Sequence, residues 1–218
     1  MTRSTSETSA RAEALMLEID RLICARDRNG AIAAAHAAIV GDSLTIPQLY
    51  AHVLSPLMTL TGTRWQAGEE EVWEEHYTTA VVRTIIESLH TEVAARALPQ
   101  SGRTIVLACP ADEYHDLGLR MLTDRFALLG YRTHFLGAAV PRDELVSAVR
   151  ELGADTVLLS ASTHYNRVQL RDYVNALACA MPGLIVWVGG PAFAHGHSSW
   201  SDTEVPDIAS ILDDLGEA

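Results

Sequence analysis

The chain has 218 residues, enough for one large domain or two small ones, and its 48% hydrophobic content can bury a sizeable core. Twenty-eight acidic residues against 16 basic ones give a net charge of −12, which removes the basic surface that holds phosphates and argues against direct nucleic-acid binding. No apolar stretch reaches the roughly 18 residues of a membrane-spanning helix, and the polar start lacks a signal peptide's apolar core, so a cytoplasmic protein with no membrane partner is expected. Cys24, Cys109 and Cys179 are far apart and odd in number, which predicts buried reduced thiols.

Apolar positions recur at three- and four-residue steps through the first part of the chain, as in Leu15, Ile19, Leu22 and Ile23. Helices are expected near 8–27, 29–40, 46–66 and 69–96. Asn29-Gly30 and Gly41-Asp42 are turn dipeptides, Pro47 suits a first helical turn, and Gly68 precedes glutamates suited to a helix N-terminus. Residues 8–98 therefore read as an all-α four-helix bundle. Leu98-Pro99-Gln100-Ser101-Gly102 has the composition of a linker. Beyond it, strands at 104–109, 133–136, 156–159 and 184–188 alternate with helices at 114–129, 141–151 and 165–180. That alternation predicts a parallel α/β sheet, Rossmann-like or flavodoxin-like, over 102–218. A fifth strand near 202–205 and a helix over 206–215 complete the reading.

Ligands of an open parallel sheet bind beyond the carboxyl ends of its strands, so the loops there set the chemistry. The first such loop carries Glu113, His115 and Gly118; a histidine offered from it is a candidate metal ligand, oriented from behind by the carboxylate two residues earlier. The third strand ends in Ser160-Ala161-Ser162, and the fourth in Gly189-Gly190, where missing side chains admit a bulky planar group. Each signal alone is ordinary, since a loop histidine is commonly just solvated. Their joint spacing around one crevice is not.

Glu113-x-His115-x-x-Gly118, Ser160-x-Ser162 and Gly189-Gly190 together resemble the cobalamin-binding module, whose usual pattern is Asp-x-His-x-x-Gly, Ser-x-Leu and Gly-Gly. The preceding bundle is similar to the cap that this family packs over the corrin ring. The resemblance implies His115 as the lower axial cobalt ligand, Glu113 as its partner, and Ser160, Gly189 and Gly190 along the slot for the nucleotide tail. Glu113 stands where Asp is commoner, and Ser162 in place of Leu makes the slot more polar. Trp65, followed after nine residues by Glu75-His76, resembles the pattern of CarH-type cobalamin-dependent photoreceptors. There the Trp packs against the adenosyl group, the Glu hydrogen-bonds to it, and the His lies close by. Gln66 departs from that branch, which has a histidine after the Trp, and the chain begins with the bundle rather than with a DNA-binding domain.

Plainer readings stay open: Trp65 as a bundle-core residue, Glu69 to Glu75 as an acidic helix start, His76 as a surface histidine. His195-Gly-His197 reads as a solvated loop, since structural zinc needs further ligands. Two functions follow from the resemblance. One is an adenosylcobalamin-bound light sensor without catalytic turnover, holding the cofactor between cap and α/β domain. It would signal through a regulatory protein partner or through self-association, and His76 would become the upper cobalt ligand after light. The alternative is a corrinoid methyl carrier of a methyltransferase system. A mutase subunit is weaker, since no substrate-binding barrel is recognisable.

Overall fold

A computed structural model describes residues 5–193. The anticipated strand near 202–205, the helix over 206–215 and His195-Gly-His197 lie outside the described residues. The chain forms two compact units, divided between Val93 and Ala94.

The first unit is helical: α1 (Thr5–Cys24), α2 (Arg28–Val40), α3 (Ile46–Leu49), a π-helical turn (Tyr50–Leu54), α4 (Ser55–Ala67), α5 (Val72–Ser88) and α6 (His90–Arg96). Asp27 caps α2 by accepting from the Gly30 N–H at 2.8 Å, and Thr45 with Gln48 forms a capping box at α3. The single helix expected over 46–66 is interrupted by the π turn. Pro56 explains it: a proline ring would clash with the His52 carbonyl and cannot donate to it, and the wider turn moves that carbonyl away. The helix expected over 69–96 begins only at Val72, after a Glu71–Glu74 capping box, and breaks at Leu89. Ile19, Ile39, Leu54, Leu57, Ile85 and Ile86 are fully buried and form the centre of this unit.

The second unit holds four parallel strands, β1 (Thr104–Pro110), β2 (Arg132–Val140), β3 (Thr156–Ser160) and β4 (Ile185–Gly189), in the order β2-β1-β3-β4. Helices α7 (Leu117–Leu128), α8 (Arg142–Glu151) and α9 (His164–Ala180) connect them. On one face Leu145, Val149, Leu170 and Leu177 of α8 and α9 pack on Val106, Val157 and Val188. On the other, Leu119 and Phe126 of α7 pack on Ile105, Leu107 and Leu158, with Phe126 stacked on Trp187 at 5.7 Å. Covered on both sides, β1 is buried along its whole length, which is why its sequence shows no alternation.

Three expectations need correction. The segment 98–102 is no free spacer: Leu98 donates to Leu128 O and Ser101 to Gly130 O, at 2.9 and 2.8 Å, so it is tied to the end of α7. β2 runs on to Val140 because two register shifts against β1 absorb extra residues near its end. Of the three free thiols only Cys109 is buried, because Cys24 and Cys179 fall on solvent-facing helix positions.

Candidate functional site

The strand order fixes where a crevice opens. From β1 the chain crosses to β2 on one side, whereas β3 lies on the other, so the loops after β1 and β3 diverge at a topological switch point. The β1–α7 loop turns at 111–112 and has no regular structure over 113–116, and α7 starts three residues later than expected. Asp112 adopts φ +63°, a left-handed turn that Asp tolerates, and Glu113 then points inward and is fully buried. The loop is pinned from two sides. Tyr173 Oη accepts from Ala111 N–H at 2.9 Å and donates to Val140 O at 2.8 Å, and the N–H of Ala139 (φ +53°) donates to Glu113 O at 3.0 Å.

The carboxylate of Glu113 is the centre of the site. Its Oε1 accepts from the His115 backbone N–H at 2.9 Å and lies 2.7 Å from His115 Nδ1. Its Oε2 accepts from Ser162 N–H at 2.6 Å, Ser162 Oγ at 2.7 Å and Asn166 Nδ2 at 2.7 Å. Burial acts to raise the Glu113 pKa, but the donors from Ser162, His115 and Asn166 outweigh it and hold the group at about 2, an anion at neutral pH. A carboxylate only accepts, so His115 Nδ1 carries the proton and Nε2 is left with its lone pair. The imidazole is 75% exposed, and Nε2 has no partner among the described residues. Burial, with Glu113 and Asp116 nearby, pushes the Cys109 thiol up to about 12 and keeps it inert below this loop.

Ser160 pairs with Gly189 across β3 and β4, and Ala161 N–H donates to Gly189 O at 3.0 Å. Gly190 sits at φ +100°, where a Cβ would lie 2.5 Å from Ala161 O and 2.7 Å from Ser160 Oγ. Ser162 turns to Glu113 and also lies 2.9 Å from His115 Nδ1. Gly118, in the first turn of α7, has open space around its Cβ position. The structure thus joins Glu113, His115 and Ser162 in one network and Ser160, Gly189 and Gly190 in an adjoining one. Asn166 and Tyr173 escaped the sequence reading. Asn166 looks like an ordinary first-turn residue of α9, and only the fold shows what it faces.

In the helical unit Gly68, at φ +72°, ends α4 just past Trp65. Arg64 beside it grips Asp20 with both terminal nitrogens, at 2.8 and 2.9 Å, and Glu70 at 3.2 Å. Glu75, in the first turn of α5, contacts His76 Nδ1 at 2.5 Å and accepts from Thr79 Oγ1 at 2.9 Å. Trp65 is 46% exposed, so it is not a core residue of this bundle. No hydrogen bond or ring contact joins it to Glu75 or His76 among the described residues.

Comparison with known proteins gives this network its setting. B12 binding domain families match residues 103–207 and residues 17–90. The chain belongs to the B12-binding family. It is a cobalamin-binding protein with a helical region ahead of a Rossmann-like domain. Over 149 residues, 67% of this chain, it is 37% identical to the HTH-type transcriptional repressor CarH of Myxococcus xanthus, and it spans 48% of that repressor's length. It is 24% identical over 115 residues to the glutamate mutase sigma subunit of Clostridium tetani, covering 52% of this chain and 80% of that subunit. The Methanosarcina barkeri monomethylamine corrinoid protein shares the fold, with a TM-score of 0.74 at 16% identity over 93% of this chain and 97% of the other.

The donor set fits a cobalamin. Among the described residues no group of three or more His, Cys, Asp or Glu gathers to hold a bare metal ion. A cobalamin brings its cobalt already bound within the cofactor, so the single carboxylate-oriented imidazole of His115 would suffice as the protein's donor. Among the described residues no helix is long and apolar enough to cross a membrane.

Proposed function

We propose that the protein is a cobalamin-bound light sensor without catalytic turnover. His115 Nε2 would hold cobalt from below, with Glu113 fixing the ring, while Gly118, Ser160, Gly189 and Gly190 make room for the corrin and its nucleotide tail. Trp65, Glu75 and His76 of the helical unit would face the upper ligand. Bound adenosylcobalamin supplies a cobalt–carbon bond that visible light breaks. Trp65 and Glu75 would contact the adenosyl group, and a packing that depended on those contacts would lose its advantage without them. His76 would be the candidate upper donor after light, since Gln66 offers only a weak amide oxygen. The changed surface would reach a regulatory protein or drive self-association.

The observation that carries this reading is that Trp65 is half-exposed, and so free to meet a ligand, on the same unit as a carboxylate-oriented histidine. The CarH-type spacing of Trp65, Glu75 and His76 supports it.

The test is the absorption spectrum and hydrodynamic radius of the adenosylcobalamin-loaded protein before and after green light. A light-driven change in both is expected, ending in a two-imidazole spectrum that His76→Ala abolishes, while His115→Ala weakens cofactor binding outright. Trp65→Ala should cut the preference for adenosyl- over methylcobalamin by about two- to ten-fold, the worth of one good aromatic contact. Equal or tighter binding of methylcobalamin, with an unaltered radius after light, would replace this reading with a corrinoid methyl carrier.

A further inference from the structure

Trp65 and the Glu75–His76 pair stand on opposite sides of the α4–α5 corner, with no hydrogen bond or ring contact between them among the described residues, so their spacing depends on what holds each helix end. Both sides of the corner are fastened to the end of α1. On the α4 side, Arg64 grips Asp20 of α1 at 2.8 and 2.9 Å and Glu70 of the corner at 3.2 Å, while its carbonyl accepts from Glu69 N–H at 2.9 Å. On the α5 side, the Arg26 guanidinium lies 4.7 Å from the centre of the Trp73 ring and 5.5 Å from that of Tyr77, and it reaches Glu74 Oε1 at 2.5 Å. Glu74 Oε2 accepts from Glu71 N–H at 3.1 Å, so the carboxylate that caps α5 is the one Arg26 holds.

The backbone at Arg26 is also unusual. α1 and α4 end in the same kind of turn: the N–H groups of Arg26 and Asp27 donate to Ile23 O and Leu22 O, each at 2.9 Å, just as those of Gly68 and Glu69 donate to Trp65 O and Arg64 O at 3.0 and 2.9 Å. At the left-handed position of that turn α4 has glycine, at φ +72°, whereas α1 has Arg26, at φ +62°. A side chain retained where glycine is the unstrained choice points to what that side chain touches. We propose that the end of α1 is a brace that sets the spacing of Trp65 from Glu75 and His76, with Arg26 and Arg64 as positioning residues for the upper ligand. The brace is a property of the cofactor-free chain; its consequence for the ligand rests on the function proposed above.

Two small changes release the anchors one at a time. Asp20→Asn keeps the shape of the side chain but removes the charge that Arg64 grips with both terminal nitrogens. Arg26→Gly removes the contacts with Trp73, Glu74 and Tyr77 and at the same time relieves the left-handed turn, so its two effects on overall stability oppose one another. Unfolding of the helical unit should therefore stay near the parent in Arg26→Gly while the first turn of α5 loosens. If Arg26 were only a turn residue, glycine would improve the turn and leave α5 unaffected.

Two measurements on the full chain test this. In the cofactor-free protein, native-state amide exchange should quicken by about 5- to 30-fold at Glu75, His76 and Tyr77 in Arg26→Gly and at Gln66 and Ala67 in Asp20→Asn, with α9 unaltered. With cobalamins as probes, each variant should lose about two- to ten-fold in its preference for adenosyl- over methylcobalamin, as Trp65→Ala does, while its affinity for hydroxocobalamin is unchanged. Asp20→Asn should add nothing to Trp65→Ala, because it acts through that residue. Parent-like exchange at both helix ends, or a hydroxocobalamin affinity that falls as far as the adenosylcobalamin affinity, overturns the brace. So does a preference that Trp65→Ala loses and both brace variants keep. Faster exchange with a preference that Trp65→Ala also leaves unmoved keeps the brace and removes Trp65 as the upper-ligand contact.

Discussion

Gly190→Ala tests how tightly the two carboxyl-edge networks are joined. At φ +100° an alanine pays a backbone penalty of about 1–2 kcal/mol. Its Cβ would lie 2.5 Å from Ala161 O and 2.7 Å from Ser160 Oγ, and the nearer atom is backbone, so Ala161 must yield by about 1 Å to restore ordinary contact. Overpacking of this kind costs about 1–3 kcal/mol. Ala161 also donates to Gly189 O at 3.0 Å and accepts from Ala192 N–H at 3.1 Å, and a shift of that size weakens both bonds, by roughly 1 kcal/mol together. The total, about 3–6 kcal/mol, is a large share of a small domain's stability and corresponds to at least about 12 °C in Tm. Chemical unfolding, with amide exchange of β1 and β3 reporting the α/β unit separately, measures it. Gly118→Ala is the control: its Cβ meets nothing, and alanine favours a helix by about 0.5–1 kcal/mol, so the cofactor-free protein should be unharmed. A Gly190→Ala loss below about 0.5 kcal/mol would refute the reasoning. Cofactor affinity lost in a stable Gly118→Ala would show that the open space is used by the ligand.

Glu113→Gln should produce a pH-dependent destabilisation of the cofactor-free protein. The folded state holds Glu113 at about 2, below the ordinary 4.5, so ionised Glu113 adds stability above pH 4.5, at most about 3 kcal/mol, and that stability is lost as pH falls toward 2. The gap between parent and variant in urea unfolding should be full at neutral pH and shrink below pH 4.5; a gap that stays constant into acid would remove the buried anion. The thiols give a simpler check. With Cys109 near 12, its thiolate fraction at about pH 8 is on the order of 10⁻⁴, so a thiol reagent should modify Cys179 and Cys24 in the native protein and a third group only after denaturation. Three fast-reacting thiols in the native protein would show that the loop over Cys109 opens.

Periodicity and local chemistry carried much of the fold. The strand runs of β1 and β3 need no partner to be recognised, because burial on both faces leaves them almost continuously apolar. Gly68 and Pro56 act through their own backbone restrictions, which is why the end of α4 was legible; the π turn before Pro56 was not, since a proline can be met by a kink, a break or a wider turn. At the site, spacing alone picked out Glu113, His115, Ser160 and Gly189 as residues at strand ends. Only the tertiary structure decided what Glu113 touches. Its partners Ser162 and Asn166 lie about fifty residues away, brought to it by β1 and β3 pairing side by side. Tyr173, a little past the middle of an unremarkable amphipathic helix, holds the same loop for the same reason. A residue's type and its local period follow from the chain around it, but a hydrogen bond across a switch point depends on strand order, which no stretch of sequence encodes by itself.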